Sequence, residues 1–220
     1  MRGLYVITPE SGDLPKLLDR VGQAVDGGAS VVQYRNKLLP PNAAAVQAKA
    51  LQSLLNGTGA LFIVNDNIEL ALMIGADGVH VGRDDGDASA LAGIRERIAQ
   101  DTFSSRRQPF LIGVSCYSDL ERAKAAVSAG ADYVAFGSFF PSKTKPDTVR
   151  ADISLVKAAK RFLDVPVVAI GGITLENASQ LIAADVDAIA VISDLFDAPD
   201  IGHRARQYTN LFKVGKHVCQ

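Results

Sequence analysis

Short, continuously apolar runs alternate along this chain with longer Ala-rich stretches patterned as amphipathic helices. Four of the runs follow a repeated cassette: Gly28-Ala29-Ser30-Val31-Val32, Gly75-Ala76-Asp77-Gly78-Val79, Gly130-Ala131-Asp132-Tyr133-Val134, and a weaker copy framed as Ala184-Asp185-Val186-Asp187-Ala188. The copies recur about every fifty residues, the period of a repeated supersecondary unit. Glycine suits the left-handed position that ends a helix, so each cassette reads as a helix stop feeding a buried strand. Between the copies lie four more strand-like runs: Leu4 to Thr8, Leu61 to Asn65, Phe110 to Ser115 and Val167 to Gly171. Eight buried strands alternating with amphipathic helices imply a parallel sheet covered by helices. Eight such units close most naturally into a single-domain α/β (β/α)8 TIM barrel. An open doubly wound sheet is the competitor, but no G-x-G-x-x-G fingerprint follows the first run.

Composition narrows the function classes. At 220 residues with 48% apolar and 21% charged positions, the chain can bury a sizeable core in one barrel domain. Lys and Arg number 23 against 24 Asp and Glu, so no global field draws nucleic acid or an anionic membrane, and electrostatic work must be local. The two cysteines, Cys116 and Cys219, have no metal-ligand spacing, which suggests a reducing, cytoplasmic compartment. No apolar run reaches membrane-spanning length, and Pro9 breaks the first run too soon for a signal peptide. The polar stretch from Thr102 to Pro109 reads as a solvated helix-to-strand loop, and the tail from about Lys213 as an end that can fray.

Barrels of this kind gather their active sites at the carboxyl ends of the strands, so each run is asked how it ends. The second ends in Gln33-Tyr34-Arg35-Asn36-Lys37; if it continues as a strand, Gln33, Arg35 and Lys37 share one face. The third ends in Asn65-Asp66, the fourth in His80 to Asp85, and the fifth in Ser115. Gly137-Ser138 follows the sixth, leading to Ser142-Lys143-Thr144-Lys145. Gly171-Gly172 ends the seventh and Ile192-Ser193 the eighth. The last two ends suit a phosphate, because glycine lets backbone N–H groups approach an anion and Ser193 adds a hydroxyl. Asp66 and Asp85 (or its neighbour Asp84) could hold Mg²⁺ beside a polyphosphate. The plainer reading of Asp66 is a cap for the helix opening at Asn67. His80 alone is more often a core or hydrogen-bonding residue. Arg35, Lys37 and Lys145 need carboxylate or phosphate partners near a barrel mouth; rim salt bridges are the plainer reading of the three.

Together Gln33-x-Arg35-x-Lys37, Asn65-Asp66, Gly75 to Gly82 with Asp85, Gly113-Val114-Ser115, Pro141 to Lys145, Ala169 to Ile173 and Ile192-Ser193 resemble thiamine phosphate synthase, in order, from about Leu4 to Phe196. The resemblance implies transfer of a pyrimidinylmethyl group from 4-amino-5-hydroxymethyl-2-methylpyrimidine diphosphate to the thiazole phosphate, releasing diphosphate. It implies that Gln33, Arg35, Lys37, Asn65 and Lys145 hold the pyrimidine diphosphate and that Asp66 and Asp85 hold Mg²⁺. Ser115 would approach the diphosphate and pyrimidine, and Ser142, Lys143, Thr144, Gly172, Ile192 and Ser193 would cradle the thiazole phosphate. Diphosphate would leave first, Arg35, Lys37, Ser115 and Lys145 serving the reacting groups. The resemblance also implies a homo-oligomer. Arg83, Cys116-Tyr117 and Lys143 depart from the family's usual residues. A thiazole tautomerase or regulatory relative on the same barrel, a Schiff-base aldolase using Lys37 or Lys145, and a non-catalytic phosphate binder are the rival readings.

Overall fold

The structure, a computed structural model, describes residues 1–82, 87–100, 109–141 and 150–214. Along the chain run β1 (Gly3–Ile7), α1 (Leu14–Asp26), β2 (Val31–Tyr34), α2 (Pro41–Leu55), β3 (Leu61–Asn65), α3 (Ile68–Ile74), β4 (Gly78–Val81) and α4 (Ala88–Gln100). Then follow β5 (Leu111–Tyr117), α5 (Leu120–Ser128), β6 (Tyr133–Phe136), α6 (Ser154–Phe162), β7 (Val167–Ile170), α7 (Leu175–Ala183), β8 (Ala188–Val191), the single turn α8 (Ser193–Phe196) and α9 (Ile201–Val214). Every strand pairs in parallel with its neighbours in sequence, and β8 returns to β1, so the sheet is a closed barrel. The expected TIM barrel is the fold. Helix α9 continues through Lys213 to Val214. No helix among the described residues is long and apolar enough to cross a membrane.

Strand alternation divides the apolar residues into two layers. Leu4, Val6, Val32, Phe62, Val64, Val79, Ile112, Val114, Val134 and Val167 face outward and meet the helices in the larger core. Tyr5, Ile7, Val31, Ile63, Tyr133, Ala135, Val168, Ala188 and Ala190 fill the barrel interior. Large and small residues complement one another there: a Cβ at Gly113 would sit inside the ring of Tyr133, so the phenol of β6 occupies the space that β5 leaves.

The repeated cassette has a structural explanation at the amino-terminal face. Gly28, Gly75 and Gly130 have φ of 98°, 70° and 99°, and each lies three residues before a strand. The equivalent residue before β8 is Asp185, with φ 69°, which shifts the frame of the weaker copy by one from Ala184. In this frame the third position is Ser30, Asp77, Asp132 or Asp187. Asp77 Oδ2 accepts from the backbone N–H of Phe62 at 2.7 Å, Asp132 Oδ2 from Ile112 at 2.7 Å and Asp187 Oδ2 from Val167 at 2.8 Å. Each aspartate N–H in turn donates to the carbonyl of that same residue. The carboxylates thus satisfy buried donors at the starts of β3, β5 and β7, which would otherwise cost free energy. Arg95 pairs with Asp132 at 2.6 Å and Lys160 with Asp187 at 2.7 Å. This face is built for stability, leaving the opposite rim for chemistry.

Candidate active site

Parallel strands in a closed barrel put all eight carboxyl ends on one rim, so topology collects the residues that the sequence scatters. Strand β2 stops at Tyr34, and the stretch from Gln33 to Lys37 diverges instead of presenting one continuous face. Gln33 is buried in the interior and its Nε2 donates to Tyr5 Oη at 2.9 Å. Arg35 is held by its backbone: its N–H donates to Thr8 Oγ1 at 2.9 Å, and Thr8 Oγ1 donates back to its carbonyl at 3.2 Å. Its guanidinium pairs with Glu10 at 2.6 Å. Asn36 Nδ2 donates to the buried Gln47 Oε1 at 3.0 Å and to Ser11 O at 2.9 Å, pinning the loop between Arg35 and Lys37. Lys37 is 61% exposed and lies 3.7 Å from Asp66 Oδ2. Both ion pairs are rim pairs of the kind worth at most about 1 kcal/mol, so a phosphate can replace either carboxylate cheaply. No local motif marks Thr8, Glu10 or Gln47 for the site, because each acts through a contact to a distant segment.

Asp66 is not the helix cap. Asn67 caps α3, its Oδ1 accepting from Leu70 N at 2.9 Å. Asp66 instead has a positive φ of 60°, uncommon for a residue with a side chain, and its N–H is tied to His80 O at 2.8 Å. Its carboxylate takes a 2.7 Å hydrogen bond from Asn65 Nδ2. Gly82 borders the same carboxylate, a Cβ there falling 3.7 Å from Asp66 Oδ1. The chain leaving Gly82 carries Asp84 and Asp85, which lie outside the described residues together with Arg83. Asp66 offers a hard oxygen donor at the rim, and no group of three or more His, Cys, Asp or Glu among the described residues is placed to hold a metal ion.

Ser115 closes a chain of hydrogen bonds through the barrel interior. Gln33 Nε2, Tyr5 Oη, Tyr133 Oη, His80 Nδ1, then His80 Nε2 and Ser115 Oγ are linked at 2.9, 3.0, 3.0 and 2.9 Å. The chain crosses β2, β1, β6, β4 and β5. Burial lowers the His80 imidazole to about 4, opposed by the nearby Asp66 charge, so the ring is neutral at physiological pH. Burial raises both phenols above their ordinary range, which keeps them protonated. Arg122 of α5 ties the two strand ends together, donating to Ser115 O at 3.1 Å and to Gly82 O at 3.3 Å. Cys116 points the other way, into the helix layer, where burial pushes its thiol up to about 12.

On the far side of the rim the Gly171-Gly172 turn is shaped by close packing. Both glycines have positive φ, 100° and 63°. A Cβ on Gly171 would overlap Ser138, and one on Gly172 would overlap the carbonyls of Phe140 and Pro141. Phe140 N donates to Gly171 O at 3.1 Å, and Asn177 Nδ2 donates to Gly172 O at 3.0 Å. The register Ile170↔Ala190 sets this turn beside Ile192-Ser193. Asp194 anchors the latter pair, accepting from Tyr208 Oη at 2.6 Å and from Arg204 at 2.8 Å. Ser142, Lys143, Thr144 and Lys145, all expected at the site, lie outside the described residues, as does most of the stretch from Thr102 to Pro109.

The residues brought together are thus an amide, cations and a carboxylate around β2 to β5, and a glycine cup with a serine across β7 and β8. A family model described as thiamine monophosphate synthase matches residues 4–195. The chain belongs to that family. A thiamine-phosphate synthase of Aromatoleum aromaticum is 48% identical over 212 residues, covering 96% of this chain and 97% of the relative. One from Chromobacterium violaceum is 47% identical over 212 residues, covering 96% and 97%. The solved thiamine phosphate pyrophosphorylase of Pyrococcus furiosus superposes with a TM-score of 0.81 at 32% identity, covering 97% of this chain and 96% of that one. A 3-hexulose-6-phosphate synthase of Salmonella typhimurium, at 16% identity and TM-score 0.75, shares the fold alone.

Proposed function

We propose that this chain is a Mg²⁺-dependent thiamine phosphate synthase, joining the pyrimidine diphosphate to the thiazole phosphate with release of diphosphate. What carries the reading is the near-complete likeness to named synthases in a chain whose two anion-suited clusters stand on one rim. Arg35 and Lys37 would exchange their carboxylate partners for the diphosphate, which Lys145 would also hold. Charge develops on the departing diphosphate, so a cation such as Arg35, whose backbone the Thr8 hydroxyl holds in place, stabilises it more in the transition state than in the ground state. Asp66 and Asp85 would hold Mg²⁺, which when bound neutralises diphosphate charge. Gln33, Asn65 and Ser115 would orient the pyrimidine diphosphate. The Gly172 backbone and Ser193, with Ser142, Lys143 and Thr144, would fix the thiazole phosphate for attack. No nucleophilic side chain is needed. Lys37 is exposed and ion-paired instead of enclosed in apolar surface, which disfavours a Schiff-base role. The tautomerase reading is not favoured, because the relatives are named as synthases and the diphosphate-side cations are retained.

The test is diphosphate release by purified protein given the pyrimidine diphosphate and Mg²⁺, with and without thiazole phosphate. Release that needs both substrates, and that collapses in Asp85→Ala and Lys145→Ala, is the expected result. Binding of thiazole phosphate with no release would overturn the synthase reading.

A further inference from the structure

We propose that the buried chain from Gln33 to Ser115 is a one-way hydrogen-bond relay that presents the Ser115 hydroxyl as a donor to substrate, with Tyr5, Tyr133 and His80 as positioning residues. The direction follows from counting protons. The Gln33 Nε2 facing Tyr5 carries only hydrogens and can only donate. Tyr5 Oη has hydrogen bonds to Gln33 and Tyr133 alone among the described residues, so its single hydrogen goes to Tyr133. Were Tyr133 to donate to Tyr5 instead, the Tyr5 hydrogen would be buried without an acceptor among the described residues. Tyr133 therefore donates to His80 Nδ1. A ring whose Nδ1 accepts carries its proton on Nε2, and that N–H donates to Ser115 Oγ. Ser115 receives a hydrogen bond and keeps its own hydrogen for whatever lies in the mouth.

The opposite polarity would be that of an activated serine, whose hydrogen is surrendered to the histidine. The two directions make Ser115 respectively a donor suited to a phosphate oxygen or ring nitrogen, and a nucleophile. The geometry points to the donor. The identity of the group that Ser115 meets rests on the synthase reading; the direction of the relay does not.

The deciding experiment is ring-nitrogen NMR on the full chain carrying ¹⁵N-labelled histidine, with His80→Gln used to assign the signal. A neutral, Nε2-protonated His80 in the substrate-free protein is expected at pH 7.5. An Nδ1-protonated ring or an imidazolium would overturn the relay, whether or not the protein turns over substrate. A second arm measures diphosphate release in Tyr133→Phe, Ser115→Ala and the double variant. Loss of one hydrogen bond predicts a fall in kcat of roughly tenfold for Tyr133→Phe. In the Ser115→Ala background the same change is expected to have no further effect. Additive losses would show that Tyr133 supports only the packing over Gly113, and the positioning role would fall.

Discussion

Replacing Asp132 by alanine tests the reading of the repeated cassette as a stability device. In the folded chain one carboxylate oxygen accepts from Ile112 N at 2.7 Å and from Arg95 at 2.6 Å. Ile112 is fully buried, so its N–H would be left without a partner, at about 1–3 kcal/mol. The ion pair is about one-third exposed on each side and adds only about 0.2–1 kcal/mol. The expected loss is about 1–4 kcal/mol, or roughly 2–16 °C in melting temperature for a chain of this length. Asp132→Asn keeps an acceptor for Ile112 and should recover all but about 1 kcal/mol. Thermal and urea unfolding monitored by circular dichroism measures both, and the diphosphate-release assay below the transition should show unchanged kcat for each. If Asp132→Asn proves as destabilising as Asp132→Ala, the charge and not the strand donor is what matters. If neither variant loses more than about 0.5 kcal/mol, the cassette has been misread.

Gly172→Ala should raise KM for the thiazole phosphate and lower stability, because a left-handed backbone at φ 63° costs an L-residue about 1–2 kcal/mol and its Cβ would overlap Phe140 and Pro141; an unchanged KM would separate the turn from phosphate binding. Asp66→Asn should abolish Mg²⁺-dependent turnover while leaving thiazole phosphate affinity intact by calorimetry. His80 also makes stability depend on pH. Its folded-state value near 4 lies below the unfolded 6.5, so the unfolded chain binds the proton first and stability falls as pH drops from about 6.5 to about 4. The slope integrates to about 3 kcal/mol, and His80→Gln should remove that part of the urea-unfolding pH profile.

The periodic apolar runs foretold the barrel because burial on both strand faces leaves an unbroken hydrophobic signature. The rim was legible too, since polar residues such as Asn65, Asp66 and Ser115 interrupt those runs at strand ends. The same local logic erred at Asp66: a carboxylate before a helix is a common cap, but here the helix starts one residue later and Asn67 does that work. Frame was equally hard to see in the cassette before β8, where an aspartate takes the left-handed position that glycine holds elsewhere.

The spacing of the apolar runs by itself therefore determined that eight strands are buried, that helices cover them, and approximately where each strand ends, although β2 stops at Tyr34 and β5 runs on to Tyr117. Only the closed tertiary structure decided who meets whom. Tyr5 and Tyr133 stand 128 positions apart, yet barrel closure and the space left by Gly113 bring their hydroxyls to 3.0 Å. His80, unremarkable as a lone histidine, becomes the link between those phenols and Ser115. Side-chain period reports the face on which a residue lies, but contacts across an interior depend on strand order, stagger and the volumes opposite, and those are properties of the assembled barrel.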